Sequence, residues 1–264
     1  MPEPKIVLRG INQAFVSQRT KQISHALSQV DLNIGDKEFV CLLGPSGCGK
    51  STLLNVIAGF LKPTAGTVLL DGRPITGPGP DRGVVFQEPT LFPWLTALEN
   101  VTFGPRMRHQ PAGQYTANAH EVLRLVGLEG FERHLPRSLS GGMRQRVALA
   151  RVLVANPQVL LMDEPFGALD AQTRTIMQEL VLKIWERDQK TALFITHDVE
   201  EAIFLADRVV VMTARPGRIK REVPITLPRP RTLDLITKPE FMEVKRMLLG
   251  IIRKEAALAV AQGL

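Results

Sequence analysis

The segment Gly44-Pro45-Ser46-Gly47-Cys48-Gly49-Lys50-Ser51-Thr52 fits the pattern G-x-x-x-x-G-K-[ST]. It stands between an apolar run, Glu38–Leu43, and an apolar-periodic stretch from Lys50 to about Gly59. A buried strand that passes through glycines straight into a helix points to an α/β core. The glycines let successive backbone N–H groups turn inward around phosphates, and the helix N-terminus adds a favourable dipole. Lys50 is placed to neutralise the β- and γ-phosphates of a nucleotide, and the Ser51 hydroxyl to ligate Mg²⁺. Every residue from Gly44 to Thr52 is thus an expected nucleotide contact.

The rest of the chain agrees with that core. Strand patterns occupy Lys5–Phe15, Ala26–Ile34, Gly66–Asp71 and Gly83–Phe86, with turn residues at Gly77-Pro78-Gly79-Pro80-Asp81. Between about Glu88 and Pro157 helical patterns take over, including Thr116–Val126 and Gly141–Val154. Alternation then returns: strand Gln158–Asp163, helix Gln172–Arg187, strand Thr191–Ile195, helix Val199–Ala206, strand Arg208–Thr213. The expectation is an α/β fold with a mostly parallel sheet, an N-terminal antiparallel β subdomain and an inserted helical subdomain over 88–157. The main domain is set at 5–235. A helical tail follows over 236–264, with Phe241, Val244, Leu248 and Ile251 or Ile252 along one side.

A Mg²⁺ ion bound to phosphates needs a second protein donor. The apolar run Val159-Leu160-Leu161-Met162 ends in Asp163-Glu164. Asp163 would hold the metal, and Glu164 would polarise an attacking water as general base. Alone, a strand ending in two acids says little; downstream of a phosphate loop it says much more.

Between these two elements lies Leu139-Ser140-Gly141-Gly142-Met143-Arg144-Gln145-Arg146. Here the sequence resembles the ABC ATPase family, whose signature is LSGGQ, with Met143 in place of the final Gln. The likeness covers about residues 5–225 with the motifs in the family's order. Physically, Ser140, Gly141 and Gly142 open a helix, so hydroxyl and backbone N–H groups converge on an anion; an ordinary Ser-capped helix start is the competing reading. The resemblance implies that this signature meets ATP held by a second subunit's phosphate loop, hence a head-to-tail homodimer. It also implies a role for Gln87 toward Mg²⁺ and the attacking water, for Asp170 in the loop that communicates across the dimer, and for His197 as the switch histidine. Gly167 stands where Ser is common in that loop. Phe15 is the expected adenine-stacking residue, against a core phenylalanine; the segment Val16–Ser24 is longer than the family's usual length.

The stretch from Gly77 to Thr96, with Leu91-Phe92-Pro93-Trp94, looks like the nitrate/sulfonate/taurine branch of bacterial importers. The resemblance implies integral-membrane permease subunits as partners, a periplasmic or surface solute-binding protein working through them, and a small, anionic solute. Phe92 and Trp94 are either core residues or an exposed pair facing the permease. The alternative reading is a motor for lipid or lipoprotein extraction, or a soluble ABC ATPase. The net charge of +7 leaves nucleic acid open, yet the aromatic interleaving of strand binders is missing, so no nucleic-acid partner is expected. The basic group Pro228-Arg229-Pro230-Arg231 reads as solvated surface charge. Cys41 and Cys48 are too few for a disulfide framework and fit a reducing compartment. With no bilayer-length apolar run and no leader pattern, the expected location is the cytoplasmic face of the inner membrane, held there by partners.

Overall fold

The structure is a computed structural model that describes residues 4–16 and 21–261. In chain order the elements are β1 Ile6–Val16, β2 Ile23–Ile34, β3 Phe39–Leu43, α1 Lys50–Ala58, β4 Ala65–Leu70, β5 Arg73–Pro74 and β6 Arg82–Val85. Three helices follow, α2 Ala97–Met107, α3 Ala112–Leu125 and α4 Gly141–Val154. The chain continues with β7 Val159–Asp163, α5 Ala171–Asp188, β8 Thr191–Thr196, α6 Val199–Leu205, β9 Arg208–Met212, β10 Ile219–Pro224 and α7 Pro239–Ala261. They form two compact units, Met1–Gly79 with Trp185–Leu264, and Pro80–Ile184.

The first unit holds two sheet systems. One is antiparallel, in the order β2-β1-β4-β5, with Ile6 opposite Ile34 and Phe15 opposite Ser24. In the other, β3 pairs in parallel with β8 and β9, while β10 returns antiparallel to β9. β3 and β8 are buried at every position, which is why they read as unbroken apolar runs rather than alternating ones. α1 packs on β2 and β8, α6 on β3 and β8, and α7 on α6. Phe39 and Phe194 are fully buried, and Phe39 meets Trp185 edge-on at 5.6 Å between ring centroids. Each such side chain contributes roughly 1.5–3 kcal/mol by leaving water.

The second unit pairs β6 with β7 in parallel and packs α2, α3 and α4 against one another, with α4 on β6. The mixed α/β architecture, the antiparallel N-terminal sheet and the helical segment match the sequence expectation. α2 is not among the helices named from the sequence, and it contains Gly104-Pro105. The helix runs through Pro105 and ends two residues later, so the missing N–H and the ring clash fall on its last turn. β10 was also missed: Lys220, Arg221 and Glu222 are exposed and hide the strand pattern. The tail helix keeps its expected stripe, with Phe241 and Leu248 fully buried. Residues 262–264 of that tail lie outside the described residues.

The basic group at 228–231 departs from expectation. Arg231 is only 6% exposed. Its guanidinium donates to the carbonyls of Ile203, Phe204 and Ala206 at 2.7–3.1 Å and to that of Leu227 at 3.2 Å. Those first three carbonyls end α6 and have no partner inside the helix, so Arg231 is its C-terminal cap. Arg229 lies over the Trp185 ring at 4.3 Å and pairs with Asp207 at 2.8 Å. Arg231 sits deep enough that burial, and then neighbouring Arg229, pull its guanidinium down to about 10. These arginines hold the fold together.

Candidate active site

The first unit carries the phosphate loop, Phe15 and His197; the second carries Gln87, Ser140, Asp163, Glu164 and Asp170. The loop leaves β3 at Gly44 and enters α1 at Lys50, as the sequence pattern requires. Gly49 caps α1 at φ 99°, a left-handed conformation closed to most side chains. A Cβ there would also stand 2.9 Å from the carbonyl oxygen of Ala26 and 2.8 Å from Leu27 Cδ2. The glycine is therefore needed for both twist and fit. Lys50 is 6% exposed, and its Nζ donates to the carbonyls of Gly44 and Pro45 at 2.9 and 3.0 Å. A charged ammonium is thus held inside the loop on the loop's own oxygens. Ser51 is exposed at the first turn of α1, with Thr52 beside it. The Cys48 thiol is buried, and burial raises it despite the Lys50 ammonium. Cys41, in the middle of β3, is raised further, again mainly by burial.

Phe15 is 42% exposed near the end of β1, so its ring is presented to solvent rather than spent in the core. Residues 17–20 of the long segment that follows lie outside the described residues. His197 is exposed directly after β8. It is placed from both sides. The Asp198 N–H donates to Thr196 Oγ1 at 3.0 Å, and the Asp198 carboxylate accepts the Glu200 N–H at 2.8 Å to cap α6.

In the second unit Asp163 ends β7, and Glu164 follows with φ 42°. A left-handed glutamate is a strained position, of the kind kept where a side chain must point one way. Gly167 donates its N–H to the Glu164 carbonyl at 3.1 Å. A Cβ on Gly167 would lie 3.6 Å from Gln87 Nε2 and 3.8 Å from Glu164 Oε2. The glutamine and the glutamate therefore converge on one spot, and the small residue there leaves it open. The hydroxyl of Ser140 accepts the Met143 N–H at 3.2 Å, capping α4. Asp170 caps its own helix, accepting the Thr173 N–H at 3.0 Å, and these bonds lower its carboxyl.

Sequence reasoning missed three side chains that shape this unit. Gln145 Nε2 donates to the Phe86 carbonyl at 3.2 Å, next to Gln87. Arg151 grips the segment after Gln87, donating to the Thr90 carbonyl at 2.9 Å and the Pro89 carbonyl at 3.3 Å. Asn100, fully buried, accepts the Phe92 N–H at 2.8 Å and donates to the Leu95 carbonyl at 2.9 Å. It thereby shapes a loop whose Trp94 is 72% exposed. Phe92 packs on Phe103 at 4.4 Å between ring centroids, so the pair divides: one ring anchors, the other faces out. For Gln145 and Arg151 the available signal was their place on the helix that also carries the signature.

The family profile described as ABC transporter matches residues 27–167. The nitrate import ATP-binding protein NrtD of Synechocystis sp. is 48% identical over 252 residues, covering 93% of this chain and 94% of that protein. The taurine import ATP-binding protein TauB of Jannaschia sp. is 49% identical over 251 residues, covering 94% and 93%. Among solved structures, the dimeric structure of MJ0796, a bacterial ABC transporter cassette, is similar with a TM-score of 0.75 at 37% identity, over 84% of this chain and all of that one.

Proposed function

The chain belongs to the ABC transporter family as an ATP-hydrolysing, ATP-binding subunit, and we propose that it drives import of a small, anionic solute such as nitrate, a sulfonate or taurine. The observation that carries the nucleotide part is the Lys50 ammonium held within a glycine loop at the start of α1. The import part is supported by the relatives named for nitrate and taurine import.

In this reading Gly44–Thr52 wraps the phosphates, with Lys50 exchanging its carbonyl partners for phosphate oxygens. Phe15 offers its exposed face to adenine. Ser51, Asp163 and Gln87 supply hydroxyl, carboxylate and amide oxygens. These are hard donors few enough to leave room for phosphate and water, the set that suits Mg²⁺. When bound, the ion would neutralise developing phosphate charge. Glu164 accepts the proton of the attacking water, Gln87 orients that water beside it, and His197 contacts the γ-phosphate. Catalysis of this kind is mainly positioning and charge neutralisation.

Two copies close head to tail, so that Ser140, Gly141 and Gly142 of one meet ATP on the other, with Asp170 near the junction. The dimeric form of the related cassette supports that arrangement. Among the described residues no helix is long and apolar enough to cross a membrane. The exposed Trp94 loop is the surface offered to permease subunits at the cytoplasmic membrane face, which in turn work with a solute-binding protein. Affinity purification of the full chain from its host tests this. It should bring down a permease, and the complex should hydrolyse ATP faster with the binding protein and its anion present. ATP hydrolysis that no permease or solute accelerates would sink the import reading.

A further inference from the structure

The C-terminal helix α7 buries a charge. Glu255 is 2% exposed, in line with the apolar Phe241 and Leu248 that seat the helix. Its Oε2 accepts the Ala214 N–H at 3.1 Å, and its Oε1 pairs with Lys220 at 3.2 Å. A buried carboxylate costs more than an apolar residue would unless it is paired and hydrogen-bonded, and the backbone group that this one holds is the Ala214 N–H. That group lies in the hairpin joining β9 to β10.

The hairpin is closely braced. Thr213 N–H donates to the Arg218 carbonyl at 2.9 Å, and Thr213 Oγ1 donates to the Pro216 carbonyl at 3.0 Å. Gly217 bonds β2 on both sides, donating to the Ala26 carbonyl at 2.9 Å and accepting the Ser28 N–H at 3.0 Å. Its backbone then lies directly on the phosphate loop. A Cβ at Gly217 would fall 2.0 Å from the Cys48 carbonyl oxygen. On the other flank, a Cβ at Gly44 would stand 3.2 Å from the Met212 carbonyl oxygen. The phosphate loop is therefore bedded against both shoulders of a hairpin whose middle is tied to Glu255.

We infer that Glu255 is a positioning residue for the phosphate loop: through the Ala214 N–H it holds the hairpin 213–218 against Cys48 and keeps the loop's backbone shaped for phosphate. This rests on the reading of Gly44–Thr52 as the nucleotide cradle. It makes α7 part of the nucleotide site, although its sequence carries no family motif.

The test is equilibrium binding of a non-hydrolysable ATP analogue with Mg²⁺ to the full chain, alongside thermal melting. Glu255→Ala should weaken binding about tenfold, equivalent to roughly 1.4 kcal/mol. Glu255→Gln keeps an acceptor for the Ala214 N–H and should stay within about threefold. Leu248→Ala removes packing from the same helix and should lower the melting temperature without changing affinity. If Glu255→Ala does not fold, Glu255→Asp serves, since it keeps the charge and shortens the reach; binding should weaken severalfold. Unchanged affinity in Glu255→Ala, or in Glu255→Asp where the alanine variant does not fold, overturns the inference, as does equal weakening in Leu248→Ala. Failure of the unaltered chain to bind the analogue removes the nucleotide reading itself.

Discussion

Gln145 donates its side-chain amide to the Phe86 carbonyl at 3.2 Å, tying the helix that opens at Ser140 to the residue before Gln87. The bond is short-range in space but spans 59 residues of sequence. It joins two stretches that the family resemblance treats as separate motifs. Gln145→Leu keeps the volume and removes the donor. Losing a part-buried hydrogen bond of this kind costs about 0.5–1.5 kcal/mol. Melting should fall accordingly, and hydrolysis should slow while affinity for ATP stays within about twofold. Equal loss of both parameters would show that Gln145 supports the whole fold instead of the Gln87 segment.

Glu164 combines a left-handed backbone with a carboxylate close to Gly167 and, through it, to Gln87. Glu164→Gln preserves shape and hydrogen bonding but cannot accept a proton. Turnover should drop by about 10²–10⁴-fold, the range for a lost general base. ATP should still bind, and the variant should accumulate as an ATP-loaded dimer detectable by light scattering. Turnover at the native rate would remove Glu164 from the mechanism.

Where the Gly44–Thr52 loop, Asp163 and Glu164 sit in the fold was legible because each motif is local: strand, loop and helix follow one another without interruption. The buried strands were legible for the same reason, since Val209–Met212 and Val159–Met162 are apolar throughout. What escaped was long-range. Arg231 reads as a surface charge because nothing near it in sequence announces the α6 carbonyls that it caps. Asn100 and Gln145 are polar residues on helices, and only the packed structure shows that their partners are loop backbone groups. Phe92 and Trp94 could not be sorted in sequence, since one half-buried ring and one exposed ring share the same local pattern. Gly167 looked like a departure from the family pattern; its surroundings are contacts at 3.5–3.8 Å, ordinary spacing for a side chain.

Arg231 offers a test of stability separate from chemistry. Arg231→Met fills much of the same space with no donors. The α6 carbonyls lose their cap, and Asp207 and Glu186 lose a neighbouring positive charge. A buried carbonyl left without its donor costs about 1–3 kcal/mol. Chemical denaturation should show a loss of that order. The folded fraction should retain ATP affinity, because Arg231 touches α6 and the chain leading out of β10, not the phosphate loop. A variant with native stability would show that the carbonyls are satisfied by water instead.

The last prediction separates two reasons for one glycine. A Cβ at Gly142 would lie 2.7 Å from Thr173 Cγ2, where α4 meets α5. Gly142→Ala should therefore strain that contact and cost about 1–3 kcal/mol, as overpacking does. Thr173→Ser deletes the clashing methyl while keeping a hydroxyl. The double variant should regain most of the lost stability, since the two sites couple directly. If Gly142 also meets ATP on the second copy, hydrolysis should stay depressed in the double variant even as its melting returns toward native. Recovery of both together would mean that Gly142 is needed only for helix packing, and that the second copy's ATP is contacted through Ser140 and Gly141 alone.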